Sequence, residues 1–110
     1  MIKARFMRIE GTDNITSVIV AGHADYADYG YDVICASVSS LVITTINALE
    51  EYVGIPTNVE ISEGVTAFSC VPIDDETEIQ AQTLMHALEI GLVGLVEEFD
   101  GFVSVETVTI

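Results

Sequence analysis

Apolar and polar positions alternate over Ile2–Ile9 and again over Ile15–Ala21, predicting two strands, the second rich in β-branched residues. Glu10-Gly11-Thr12-Asp13-Asn14 between them is turn chemistry, so the two form a hairpin. From Val33 to about Val53 the period changes. Ile34, Val38, Leu41, Val42, Leu49 and Val53 recur at helical spacing and mark a buried stripe. Asp32 is placed to cap this helix, and Gly54 and Pro56 stop it. Asn58–Ser62 and Val65–Val71 read as a second pair of strands around a turn at Glu63-Gly64. Pro72–Asp75 is a loop, and Asp75 is expected to cap a second helix from Glu76 to about Glu98. Leu84, Leu88, Leu92, Leu95 and Phe99 share a face of that helix, while Gly91 and Gly94 weaken it or admit a close neighbour. Phe102–Ile110 is a last strand.

The order ββαββαβ is an α+β arrangement. Its simplest solution is a mostly antiparallel sheet with both helices on one face. A chain of 110 residues, half of them hydrophobic, fits one domain over 1–110 with a core that needs no staples. No repeat, linker or low-complexity tract interrupts it. A sheet edge or helix face is available for a homodimer, which the pattern alone does not establish.

Gly22–Asp32, reading GHADYADYGYD, fits neither period and is expected to be an exposed loop. It holds three of the four tyrosines, two glycines and three aspartates. Loops on a rigid scaffold are where binding and chemistry concentrate.

Composition narrows the setting. No apolar run reaches the roughly 18–20 residues of a membrane helix, and the first six residues lack the apolar region of a secretion signal. Cys35 and Cys70 make neither a disulfide framework nor a zinc site, so a reduced cytoplasmic setting is expected, with no membrane and no cofactor. The charge is extreme: 18 acidic against 3 basic residues, formally −15, with Lys3, Arg5 and Arg8 all in the first eight positions. Such a surface repels phosphates, which excludes direct nucleic-acid binding, and it attracts a basic peptide or protein. Solubility alone is the plainer reading of the same charge.

The candidate chemistry is His23 with Cys35. His23 leaves the second strand as the chain enters the loop, and Cys35 lies in the first turn of the following helix. A helix start presents unpaired N–H groups and partial positive charge, which favour the thiolate nucleophile. An imidazole within reach supplies the base. Backbone N–H groups at the helix start, that of Cys35 among them, are candidates for an oxyanion hole. Asp32, Cys35 and Ser39 are spaced i, i+3, i+7 and share a helix face. Asp32 is either a cap or a partner for His23; Ser39 either bonds His23 or substrate, or bonds its own backbone. Against this, a lone cysteine on an apolar helix is commonly a core residue. Cys70 and His86 read as structural, and His23, Cys35, Cys70 and His86 lack zinc-ligand spacing, so no metal is expected.

The run Gly22-His23-Ala24 through Gly30-Tyr31-Asp32-Val33-Ile34-Cys35-Ala36-Ser37-Val38-Ser39 resembles the signature of the ribosomal-processing cysteine protease family Prp: G-H-A, a short loop ending in G-x-D, then [IV]-[IV]-C-A-x-[VA]-S. Ser37 stands where the family usually has Ala or Gly. The resemblance implies a cytoplasmic, homodimeric endopeptidase that removes a short N-terminal extension from a basic large-subunit ribosomal protein, cutting after an aromatic residue. It implies Cys35 as nucleophile, His23 as base and acid, and Asp32 and Ser39 in support. It also implies a substrate loop, here Gly22, Tyr26, Tyr29, Gly30 and Tyr31, that is mobile and orders around the peptide. A noncatalytic acidic module that binds a basic ribosomal protein or assembly factor is the alternative.

Overall fold

Strand alternation places Ile2, Ala4 and Phe6 of β1 (Ile2–Arg8) on one face, each at most 3% exposed, and Lys3 and Arg5 on the other, exposed. β1 pairs antiparallel with β2 (Ile15–Ala21), Ala4 opposite Val20 and Phe6 opposite Val18, so the apolar sets of both strands face the same way. This computed structural model describes residues 1–28 and 32–110.

Five strands form one sheet in the order β3-β4-β2-β1-β5, with β3 at Thr57–Ser62, β4 at Val65–Cys70 and β5 at Val103–Thr109. Three of its pairings are antiparallel, and β1 with β5 is parallel. The parallel pair requires a long crossover, which α2 (Asp75–Glu98) supplies. α1 (Val33–Ala48) and α2 pack on each other, and their buried residues join those of the sheet in one core. Ile34, Val38 and Val42 come from α1; Ala81, Met85, Leu88 and Leu92 come from α2. The stripe expected on α2 is turned slightly: Leu84, Leu95 and Phe99 are only partly buried. Gly91 is the point of close approach, since a Cβ there would lie 3.2 Å from Leu41 Cδ1. Gly94 has open space and serves no such contact.

The ends of the elements differ from expectation in physically clear ways. The first helix is not uniform to Val53: after Ala48 it widens into a π turn over Leu49–Val53, whose Leu49 is fully buried. Gly54, at φ +77°, ends it, donating to the Leu49 carbonyl at 3.0 Å. The cap of α2 is Asp74, not Asp75. Asp74 accepts the Thr77 N–H at 2.9 Å while the Thr77 hydroxyl accepts the Asp74 N–H at 3.0 Å, a reciprocal box.

The expectation that no segment has the length and apolarity of a membrane span is also corrected. The helical segments Val33–Val53 and Asp75–Glu98 both reach it by length and composition. Their most apolar faces are the ones packed between each other and the sheet.

Candidate active site

The C-terminal end of β2, the start of α1 and the β3–β4 turn surround a cavity of about 540 Å³. Its position follows from the sheet register. Ala21 pairs with Val65 across β2 and β4, so the chain leaving β2 emerges beside the β3–β4 turn. The Gly22 N–H donates to the Gly64 carbonyl at 2.8 Å and extends that contact by one residue. Gly22 itself has φ +96°, and a Cβ there would collide with the Met1 carbonyl oxygen, so only glycine fits the passage.

The structure brings His23, Asp32, Cys35 and Ser39 to this one cavity, with Asp25 and Ala27 from the loop and Ser62, Gly64 and Thr66 from the hairpin. His23 is exposed and Cys35 half-buried. Among the described residues, no hydrogen bond joins the imidazole to the thiol. Catalytic contacts often tighten only around substrate, so a shared opening is the relevant geometry in the free protein.

Asp32 has a definite role. Its Oδ1 accepts the N–H groups of Ile34 and Cys35, each at 3.0 Å, and its Oδ2 accepts the Tyr26 N–H at 3.1 Å. One carboxylate therefore caps α1 and ties the loop to the helix start. The Cys35 N–H, most of all, holds the Asp32 carboxyl below the usual range. Burial opposes this, and the Tyr26 N–H, the Cys35 side chain and the Ile34 N–H reinforce it. The carboxylate also takes two of the helix-start donors that are candidates for an oxyanion hole. Those of Ile34 and Cys35 bond Asp32 Oδ1, and that of Ala36 bonds the Asp32 carbonyl at 3.1 Å. Of the two roles open to Asp32, the cap is the one observed.

Ser39 is exposed at the cavity one turn beyond Cys35. Its neighbour Ser37 bonds back to the Val33 carbonyl at 2.7 Å, but the Ser39 hydroxyl makes no such bond among the described residues.

Tyr26 does not line the cavity. Its ring packs edge-on against Phe102, centroids 5.3 Å apart, and Phe99 at 6.2 Å. The ring anchors the loop rather than walling the groove. Ala24, 4% exposed, is a second anchor, so the early part of the loop is more firmly held than its composition implied. Tyr29, Gly30 and Tyr31 lie outside the described residues.

Residues of the β3–β4 hairpin, Ser62, Gly64, Val65 and Thr66, form a wall of the cavity that the sequence did not reveal. The sequence marks the hairpin but not its pairing with β2. Cys70 is away from the cavity, and burial, with Glu78 adding, pushes its thiol pKa up. His86 Nδ1 lies 2.7 Å from the Gln82 carbonyl oxygen within α2, as a structural histidine does.

Residues 1–104 match the family model described as cysteine protease Prp. Relatives named ribosomal processing cysteine protease Prp include two from different species. One, from Bacillus subtilis (strain 168), is 28% identical over 110 residues, 97% of each chain. The other, from Staphylococcus aureus (strain Mu50), is 26% identical over 86 residues, 78% of this chain and 80% of the relative. Among solved structures, a Streptococcus mutans protein superposes with a TM-score of 0.84 at 31% identity, covering 100% of this chain and 96% of its own. The S. aureus ribosomal processing protease Prp, in complex with a covalently linked product peptide, superposes with a TM-score of 0.87 at 22% identity, covering 98% of this chain and 100% of its own. The likeness to the S. aureus structure concerns the fold; the family match over nearly the whole length carries the activity and sets the noncatalytic reading aside. The chain belongs to the cysteine protease Prp family and is a cysteine-type hydrolase.

Proposed function

We propose that this protease removes the short N-terminal extension of a basic large-subunit ribosomal protein, cutting after an aromatic residue. Cys35 is the nucleophile and His23 the base. The observation that carries this reading is the single cavity shared by His23, Cys35 and Ser39. The Cys35 thiol loses its proton to His23 as Sγ attacks the scissile carbonyl carbon. His23 returns the proton to the leaving amine, and water then hydrolyses the thioester. The acidic surface, formally −15, favours encounter with a basic partner. The names of the relatives support the ribosomal substrate.

The proposed setting is cytoplasmic, where the two free thiols persist. The proposed assembly is a homodimer. The sheet face opposite the helices supports it, because Lys3 and Arg5 on β1 and Glu60 on β3 leave Ile19, Ala21 and Ala67 between unlike charges, an arrangement that suits a second copy.

The test is incubation of the organism's own ribosomal-protein precursor with the enzyme, read by intact mass. The expected product lacks a short N-terminal peptide that ends in an aromatic residue. An unchanged precursor, or a cut elsewhere, contradicts the proposal.

A further inference from the structure

We infer that Gly64, in the β3–β4 turn, is a positioning residue for the catalytic imidazole. The inference rests on the reading of His23 as the base. Two contacts support it. The Gly64 carbonyl accepts the N–H of Gly22, the residue before His23, at 2.8 Å, and so fixes where the histidine leaves β2. The His23 ring then faces the space that a side chain at Gly64 would take. A Cβ at position 64 would come within 3.2 Å of Nε2, 3.8 Å of Cε1 and 3.9 Å of Cδ2. The residue has φ +72°, in the left-handed region. Gly64 therefore serves His23 twice: its backbone holds the approach, and its missing side chain makes room for the ring.

A second glycine provides the control. Gly11, in the β1–β2 turn, has nearly the same conformation, φ +77°, but nothing within 4 Å of a Cβ built on it. Alanine at either position meets the same backbone strain, and only at position 64 does it meet the imidazole. Asparagine tolerates the left-handed region better than alanine while still carrying a Cβ. A ring displaced by a few tenths of an ångström loses alignment with the thiol, and misplacement on the scale of 1 Å costs about a hundredfold in rate.

The experiment measures kcat and KM on the ribosomal-protein precursor, with melting temperature, for Gly64→Ala, Gly64→Asn, Gly11→Ala and His23→Ala. Gly64→Ala and Gly11→Ala should lose similar melting temperature, and Gly64→Asn less. Both Gly64 variants should lower kcat by about tenfold with KM changed less than about twofold, while Gly11→Ala keeps kcat. Should Gly64→Ala fail to fold, Gly64→Asn carries the test. Wild-type kcat in Gly64→Asn beside an inactive His23→Ala overturns the positioning role alone. Wild-type kcat in His23→Ala overturns the base assignment beneath it. A raised KM at unchanged kcat would make Gly64 only a wall of the peptide groove, and an equal loss in Gly11→Ala would reduce the effect to strain; either result overturns the inference. Nuclear Overhauser contacts between the His23 ring protons and the Gly64 Hα test the packing without turnover. Their presence is expected, and their absence overturns it.

Discussion

Asp32 and Cys35 are joined at the start of α1, where the aspartate Oδ1 accepts the cysteine N–H at 3.0 Å. The residue that caps the helix is thus the one that fixes where the nucleophile begins its turn, and through Tyr26 it also holds the loop. Its contribution here is geometric.

Asp32 should therefore act on stability with a defined pH dependence. Its folded carboxyl pKa lies below the ordinary value of about 3.9, so its contribution is complete above that value and fades as pH falls through the folded one. The melting temperature of Asp32→Asn should fall below that of the wild type at pH 7, and the gap should close toward pH 2. A gap of equal size at both pH values would contradict the cap.

The two thiols should differ in reactivity. Cys35 opens on the cavity, whereas burial and Glu78 raise the Cys70 pKa. Iodoacetamide followed by peptide mapping should label Cys35 well before Cys70 at pH 7, with Cys70 labelled only under alkaline conditions. Cys70→Ser should keep most of the activity.

Tyr26→Ala removes two edge-on aromatic contacts and should cost about 1 kcal/mol, measured by urea unfolding. It should also lower kcat/KM, because the loop carrying His23 loses its anchor. Unchanged kcat/KM would show that the Asp32–Tyr26 hydrogen bond is sufficient.

Arg8 grips Glu89 of α2 through two hydrogen bonds of 2.6 Å, and their side chains are only 14% and 20% exposed. Arg8→Ala leaves a largely covered carboxylate without its partner and should cost about 2 kcal/mol in urea unfolding. Glu89→Gln keeps an acceptor and should cost less.

The order of elements was legible because each segment keeps a clean period. Ile2, Ala4 and Phe6 alternate, and Ile34, Val38 and Val42 recur at helical spacing. The pairing of β1 with β5 and of β2 with β4 was not, since register between strands distant in sequence leaves no local trace. That gap concealed Gly64 from view. Nor does the sequence show which helix-start N–H groups the cap takes: Asp32 Oδ1 accepts those of Ile34 and Cys35. Tyr26 belongs to the expected substrate loop, but Phe99 and Phe102 meet only in the folded chain and draw its ring away from the cavity. His23, Asp32, Cys35 and Ser39 were recoverable because a short run of sequence delivers all four to one opening.

The most direct test of the account is cleavage of the ribosomal-protein precursor by the wild type, His23→Ala and Cys35→Ala, followed by intact mass with the fold of each variant checked by circular dichroism. The account predicts complete processing by the wild type, turnover lowered more than about a hundredfold in His23→Ala, and none in a folded Cys35→Ala. Processing of the precursor by folded Cys35→Ala would contradict it.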